Sequence, residues 1–126
     1  MWTYQQSSGK LTAPDGTIEG IGYAGGNCGK NPEGVNNCEM ETASCVGPLP
    51  VGMYTFGVPQ DNPKLGPFAI PLQPDQSNVM YGRGGFFCHG DTSAMNHSAS
   101  EGCIIMARSI RESMWASSDH DLQVVA

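Results

Sequence analysis

A mainly β domain built from short strands is predicted by three features of this sequence. Glycine and proline are dense, 17 and nine among 126 residues, and most fall in turn-like groups: Pro14-Asp15-Gly16, Gly25-Gly26, Gly47-Pro48, Gly66-Pro67 and Gly84-Gly85. Glycine opens positive φ and proline presets φ, so these groups cut the chain into short extended runs. The runs between them repeatedly carry Trp, Tyr, Phe, Ile and Val, which suit a pleated, half-buried surface. Charged residues make up only 14%, so the turn density does not signal disorder. The length fits one domain over residues 1–126 around one core.

Taken in order, the opening MWTYQQSSGKLTAPDG reads as a β-hairpin, with Trp2, Tyr4 and Gln6 alternating and Ser8-Gly9 as the turn. TIEGIGYAG is a further short strand, and residues 25–45, GGNCGKNPEGVNNCEMETASC, read as loop. VGPLPVGMYTFGVP places a proline-rich lead before a strand over about residues 53–58. FAIPLQP is another strand, which Pro71 puts on a sheet edge because proline has no N–H to donate. GGFFCHG is a short strand ending at Gly90. In ARSIRESMW, Ile110, Met114 and Trp115 fall at helical spacing, so one short helix follows Cys103. SSDHDLQVVA supplies a last strand.

Charge excludes two classes of partner. The net charge is -6 and only six residues are Lys or Arg, so no basic stripe exists to neutralise several phosphates or to settle on an acidic membrane. No apolar run approaches the ~20 residues that span a bilayer. The start, MWTYQQSSGK, has neither a basic cluster nor an apolar run, so no secretory signal is visible. The five cysteines point elsewhere. That number suits an oxidising compartment, and the simplest arithmetic is two disulfides and one free thiol; with Cys103 as the free one, the bridges would draw on Cys28, Cys38, Cys45 and Cys88.

Reactive side chains concentrate in residues 86–111, FFCHGDTSAMNHSASEGCIIMARSIR, which hold two of the five cysteines, two of the three histidines and two of the three arginines. His89 and Cys103 make a sensible base and nucleophile. A thiol with its ordinary pKa is a few per cent thiolate at neutral pH, and a nearby imidazole can lower that pKa to ~6, a gain of roughly thirty-fold in reactive fraction. Ser100-Glu101-Gly102 reads as a tight turn that presents Cys103, and the N–H groups of Gly102 and Cys103 are candidate oxyanion donors. Ile104-Ile105-Met106 behind it would anchor the backbone in the core. Successive strand side chains face opposite sides, so Cys88 points away from His89 and is a buried thiol or a disulfide half. Arg83 can grip a carboxylate with its planar fork or pair with Asp91 or Glu101. Arg108 contributes to the site or sits beside the helix start.

The pattern FFCHG followed by SASEGCIIM resembles the L,D-transpeptidase catalytic domain of the YkuD type. His89-Gly90 stands where that family has its His-Gly pair, and Ser100, Gly102 and Cys103 match its terminal motif after a gap of thirteen residues. Pro50, Gly52 and Tyr54 match its Pro-x-Gly-x-Tyr strand. One position departs: the family's second histidine is Glu101 here. The resemblance implies an L,D-transpeptidase-like β-sandwich with one short helix after the catalytic cysteine. It is closest to the toxin effectors of type VI secretion, which implies an enzyme with no cofactor, secreted without a signal peptide and acting in the periplasm of a Gram-negative target cell. Its implied substrates are peptidoglycan stem tetrapeptides and D-amino acids, processed as an L,D-carboxypeptidase or by D-amino-acid exchange. Cys103 would be the nucleophile, His89 the base and the Gly90 carbonyl the group that fixes the imidazole tautomer. A cognate immunity protein would protect the producer.

Blander readings accompany each choice. Cys103 as an inert thiol or a disulfide half is compatible with composition alone. His89, Asp91, His97 and Cys103 could ligate zinc, and so could Cys28, Cys38 and Cys45, yet neither set has zinc-site spacing. His97 is a solvated loop residue or a cleft-rim residue, His120 is a surface residue, and Ser98 and Ser100 serve turns through their hydroxyls. A papain-like amidase or endopeptidase is the alternative enzyme, although there the Cys precedes the His. A disulfide-stapled secreted binding module is the non-enzymatic alternative.

Overall fold

In the computed structural model, residues 1–91 and 100–126 are described. The fold is mainly β, as predicted. Ten strands are present among the described residues: β1 (Trp2–Gln5), β2 (Lys10–Thr12), β3 (Ile18–Ile21), β4 (Tyr23–Ala24), β5 (Gly52–Phe56), β6 (Gln60–Asn62), β7 (Gly66–Pro74), β8 (Phe87–His89), β9 (Ile104–Ile105) and β10 (Asp121–Val125). The helix α1 spans Arg108–Ala116. The strands run in the order β3-β2-β1-β10-β5-β7-β8-β9-β4, with β6 added against β7.

The two ends of that path, β3 and β4, are consecutive in the chain and separated only by Gly22. The sheet therefore curls until its ends meet, and strands distant along the path share one core, as in a β-sandwich. Trp2, Tyr4 and Leu11 from one side join Ile70, Cys88, Ile104 and Met114 from the other. At the junction a Cβ on Gly22 would stand 1.8 Å from the Ile105 carbonyl oxygen, so only glycine lets β4 turn onto β9.

The opening hairpin forms as predicted, with Trp2, Tyr4 and Gln6 all buried. Gln6 is satisfied in part by donating from Nε2 to the Leu49 carbonyl at 2.8 Å. TIEGIGYAG divides into β3 and β4 rather than forming one strand. Residues 25–45 form loop with two 3₁₀ turns. Tyr54 of the Pro50-Gly52-Tyr54 match is a core residue whose hydroxyl donates to the Pro50 carbonyl at 2.7 Å, and burial holds its phenol un-ionised.

Two expectations need correction. The strand containing Pro71 is not at an edge: β7 lies between β5 and β8. A residue's N–H and C=O share one side of a strand. The Pro71 carbonyl accepts from Gly57 N–H at 2.8 Å, just beyond the end of β5, so the missing donor falls where that ladder stops. The second correction concerns the cysteines, all five of which are free thiols. Cys88 is fully buried on the core face of β8, and hydrogen bonds staple the loop instead. Gly26 N–H donates to the Val46 carbonyl at 2.7 Å, Asn36 N–H to Ala24 at 2.9 Å, and Cys28 N–H to Ser100 at 2.9 Å.

Candidate active site

Parallel pairing of β8 with β9 puts Cys88 opposite Ile104 and His89 opposite Ile105. One residue earlier in each chain segment, Phe87 and Cys103 come together, and Phe87 N–H donates to Cys103 Sγ at 3.3 Å. Alternation then turns Cys88 and Ile104 into the core and leaves Cys103 and His89 on one face. They are diagonal neighbours across the β8–β9 pair. Both line the same pocket of about 370 Å³, a volume in the range of small-ligand sites. Cys88 does not line it.

His89 is only 2% exposed. Its Nδ1 lies 2.9 Å from the Gly90 carbonyl oxygen. A carbonyl can only accept, so Nδ1 carries the proton and Nε2 is left with a bare lone pair. Nε2 is buried and has no hydrogen-bond partner, so the imidazole and the sulfur are not joined in this resting arrangement. Arg111 lies beside His89 and Gly90. It is 5% exposed and donates from Nε to the Met106 carbonyl and from one terminal nitrogen to Pro67 and Phe68. A Cβ on Gly90 would come within 3.1 Å of its other terminal nitrogen.

The electrostatics differ from the sequence expectation of an activated thiolate. Burial pushes the Cys103 thiol up to about 11, against a smaller lowering by the Phe87 N–H. Burial also holds His89 below its ordinary value, opposed by the Gly90 carbonyl and assisted by the Arg111 cation. Both partners are neutral at pH 7: a thiol faces a base and no ion pair is preformed. The physical reason is desolvation, which outweighs every charge near the pair. Cys88 is pushed up further, to about 12, by complete burial.

The turn that presents Cys103 is built on Ser100. Its hydroxyl accepts from Gly25 N–H and Gly102 N–H, each at 2.9 Å, and donates to the Cys103 carbonyl at 2.7 Å. The Gly102 N–H is thereby engaged and does not serve as an oxyanion donor, which leaves the Cys103 N–H of the two expected. Gly102 has φ 132°, and a Cβ there would meet an Arg83 nitrogen at 2.6 Å and Phe86 Cε1 at 2.8 Å, so the turn admits only glycine.

Arg83 is placed differently from either sequence reading. It is 8% exposed, and its two terminal nitrogens donate to the carbonyls of Glu41 at 2.6 Å, Pro48 at 2.7 Å, Gly47 at 2.9 Å and Glu101 at 3.3 Å. Those four bonds use every N–H of the fork tip, leaving none for a substrate carboxylate. The guanidinium clamps residues 41–48 to the turn before Cys103. Asp91 accepts from the Tyr23 hydroxyl at 2.6 Å and Arg108 opens α1, over the Phe68 ring and 3.9 Å from Glu112; neither lines the pocket. Glu101 does line it, and its two carboxylate oxygens accept from the thiols of Cys28 at 3.6 Å and Cys45 at 3.9 Å. His120 stacks on Trp115 at 4.2 Å and is bonded to its carbonyl. His97 and Ser98 lie outside the described residues.

Sequence reasoning missed Lys64, which lines the pocket from the turn between β6 and β7, and Arg111. No motif marks Lys64. Arg111 was hidden because it sits on the buried face of α1 beside Met114, where an apolar residue is the usual occupant.

No curated protein and no solved structure matches the chain. A family model does: that of the Tlde1 domain, over residues 25–126. The match takes in β5 through β10 and α1, and with them the pocket, His89, the Ser100 turn and Cys103. The chain belongs to the Tlde1 domain family, an L,D-transpeptidase-like family of enzymatic toxin effectors of type VI secretion.

Proposed function

We propose that this domain cleaves or exchanges the terminal D-residue of peptidoglycan stem tetrapeptides through a thioester on Cys103. The observation that carries the reading is the His89 imidazole, its Nδ1 proton held by the Gly90 carbonyl and its Nε2 buried without a partner, in a residue that lines the same pocket as Cys103. A buried acceptor with no donor is costly, and a thiol proton is the donor it lacks.

Because thiol and imidazole are both neutral, the nucleophile forms as it attacks. Cys103 Sγ bonds to the carbonyl carbon on the L-centre of the meso-diaminopimelate residue while its proton passes to His89 Nε2. Charge collects on the carbonyl oxygen, which the Cys103 N–H can receive. The C–N bond then breaks, His89 returns the proton to the leaving amine, and a D-amino acid departs. Water attacking the thioester completes carboxypeptidase action. An incoming D-amino acid amine completes exchange. In both cases His89 takes the proton from the attacking group and hands it back to Sγ. The Phe87 N–H, 3.3 Å from Sγ, stabilises the sulfur as it becomes anionic.

Acting as an effector, the domain would meet its substrate in the periplasm of a Gram-negative target, and the producer would carry an immunity protein that covers the Cys103 pocket. Co-expression of that protein should rescue cells expressing the periplasmic domain; no rescue by any neighbouring open reading frame counts against it. The enzymatic reading is tested with purified muropeptide tetrapeptides. Tetrapeptide should become tripeptide, or incorporate a labelled D-amino acid, with the wild type and not with Cys103→Ala. Unchanged muropeptides in both samples would refute it.

A further inference from the structure

The pocket that holds Cys103 is electrically polarised. Three residues with permanent or ordinary charge at neutral pH line it: Lys64, Arg83 and Glu101. Arg83 has its fork tip filled by four backbone carbonyls. Glu101 stands on the Cys103 side, one residue before Gly102, with the Cys28 and Cys45 thiols on its two oxygens. Lys64 lines the pocket from a separate element, the turn joining β6 to β7. That turn is held in shape: Asn62 Oδ1 accepts from Lys64 N–H at 2.9 Å and Leu65 N–H at 3.0 Å, an Asx arrangement that fixes the backbone of the tip.

Lys64 is exposed, and the ion pairs among the described residues are Met1 with Asp119 and Arg108 with Glu112. Among the described residues, it is the lining cation for which no ion pair or side-chain hydrogen bond is present. In a chain of net charge -6, an unpaired cation at the pocket is the feature that would draw an anion inward. Its field is felt at the chemistry: it favours the thiolate of Cys103 and opposes protonation of His89. Glu101 opposes the thiolate and would repel an anionic ligand group from its own side.

We propose that Lys64 is the specificity residue that receives the free α-carboxylate of the substrate's terminal D-residue, with Glu101 repelling that carboxylate from its own part of the pocket and so setting the direction in which the peptide lies. The inference rests on the stem-peptide reading above. It orients the chain so that the leaving residue points toward the β6–β7 turn and the acyl portion toward the Glu101 wall. A lysine here acts as a point charge without a required fork geometry, which suits a site that admits different D-amino acids as leaving group or acceptor.

The test uses binding, so that it does not depend on turnover. Cys103→Ala protein is titrated by calorimetry with a stem tetrapeptide and with the same peptide carrying a C-terminal amide. An exposed charge pair in a partly dry pocket is worth about five-fold in affinity. The acid should bind about five-fold tighter than the amide at low salt. That preference should shrink as ionic strength rises, vanish in Cys103→Ala/Lys64→Met and survive in Cys103→Ala/Lys64→Arg. An acid preference that persists in the Lys64→Met background, equal binding of acid and amide, or no binding of either would each overturn the assignment. Turnover by the wild type is scored separately. Muropeptide cleavage without a Lys64-dependent preference would leave the reaction standing and remove only this residue's role.

Discussion

Replacing Arg83 by methionine separates a clamp from a substrate grip. The guanidinium donates to four carbonyls, and the bonds to Gly47 and Pro48 are buried while those to Glu41 and Glu101 are part-buried. Hydrogen bonds from a charged group contribute about 1.5–3 kcal/mol each. The Glu41 and Glu101 carbonyls can turn to water when the cation is gone, so the buried pair dominates and the loss is roughly 3–5 kcal/mol. For a domain of 126 residues, that corresponds to a fall in Tm of roughly 12–20 °C. Arg83→Lys, which keeps the charge and loses the fork, should fall by roughly half as much. Thermal melts monitored by circular dichroism measure both, and muropeptide kinetics below the melt give kcat and KM. A clamp predicts lower stability and lower kcat through a loosened Cys103 turn, with little change in KM. An Arg83→Met protein that melts within about 2 °C of wild type and shows a raised KM would refute it.

Ser100→Ala should cost about 2–4 kcal/mol in urea unfolding, because two N–H groups and one carbonyl lose their shared partner at a fully buried site; a change below about 1 kcal/mol would contradict the hub role. Burial keeps His89 below its ordinary pKa of 6.5, so kcat/KM should stay level as pH falls to 6.5 and drop only below it, when the base becomes protonated. The same burial makes the unfolded chain take up this proton first, so the stability from neutral His89 is full above pH 6.5 and is lost as pH falls through the lowered value. At the alkaline end, Cys103 and Cys88 have folded pKa values of about 11 and about 12 against an ordinary 9.0. Their contribution is full below pH 9 and is lost as pH rises through those values, about 2–4 kcal/mol by pH 11 in denaturant titrations. A flat stability between pH 9 and 11 would show that these thiols are not held neutral by burial.

Most of the fold was legible because strand periodicity and turn residues are local signals. The alternation Trp2-Tyr4-Gln6, the helical spacing Ile110-Met114-Trp115 and the tail VVA each became the element expected of them. What failed was long-range. Pro71 marks an edge only when the neighbouring ladder continues past it, and β5 ends at Phe56, which no local pattern reveals. Cysteine arithmetic assumed that a glycine- and asparagine-rich loop needs disulfides, whereas Asn36 and the Ser100 carbonyl supply the staples. At the site, the faces of Cys88 and His89 followed from period-two alternation alone. The protonation states did not, because desolvation depends on packing contributed by the whole fold. Arg83 was misassigned since sequence shows a cation near a catalytic motif and cannot show four carbonyls converging on it.

The most direct test of Cys103 as the acyl carrier is intact mass measured within seconds of mixing protein and tetrapeptide, followed by acid quench. The expected result is an adduct equal to the peptide less its terminal D-residue, mapped to Cys103. It should be unchanged in Cys88→Ala and absent in Cys103→Ala and His89→Ala. Tetrapeptide turnover with no adduct at any time, or turnover retained by Cys103→Ala, would contradict it.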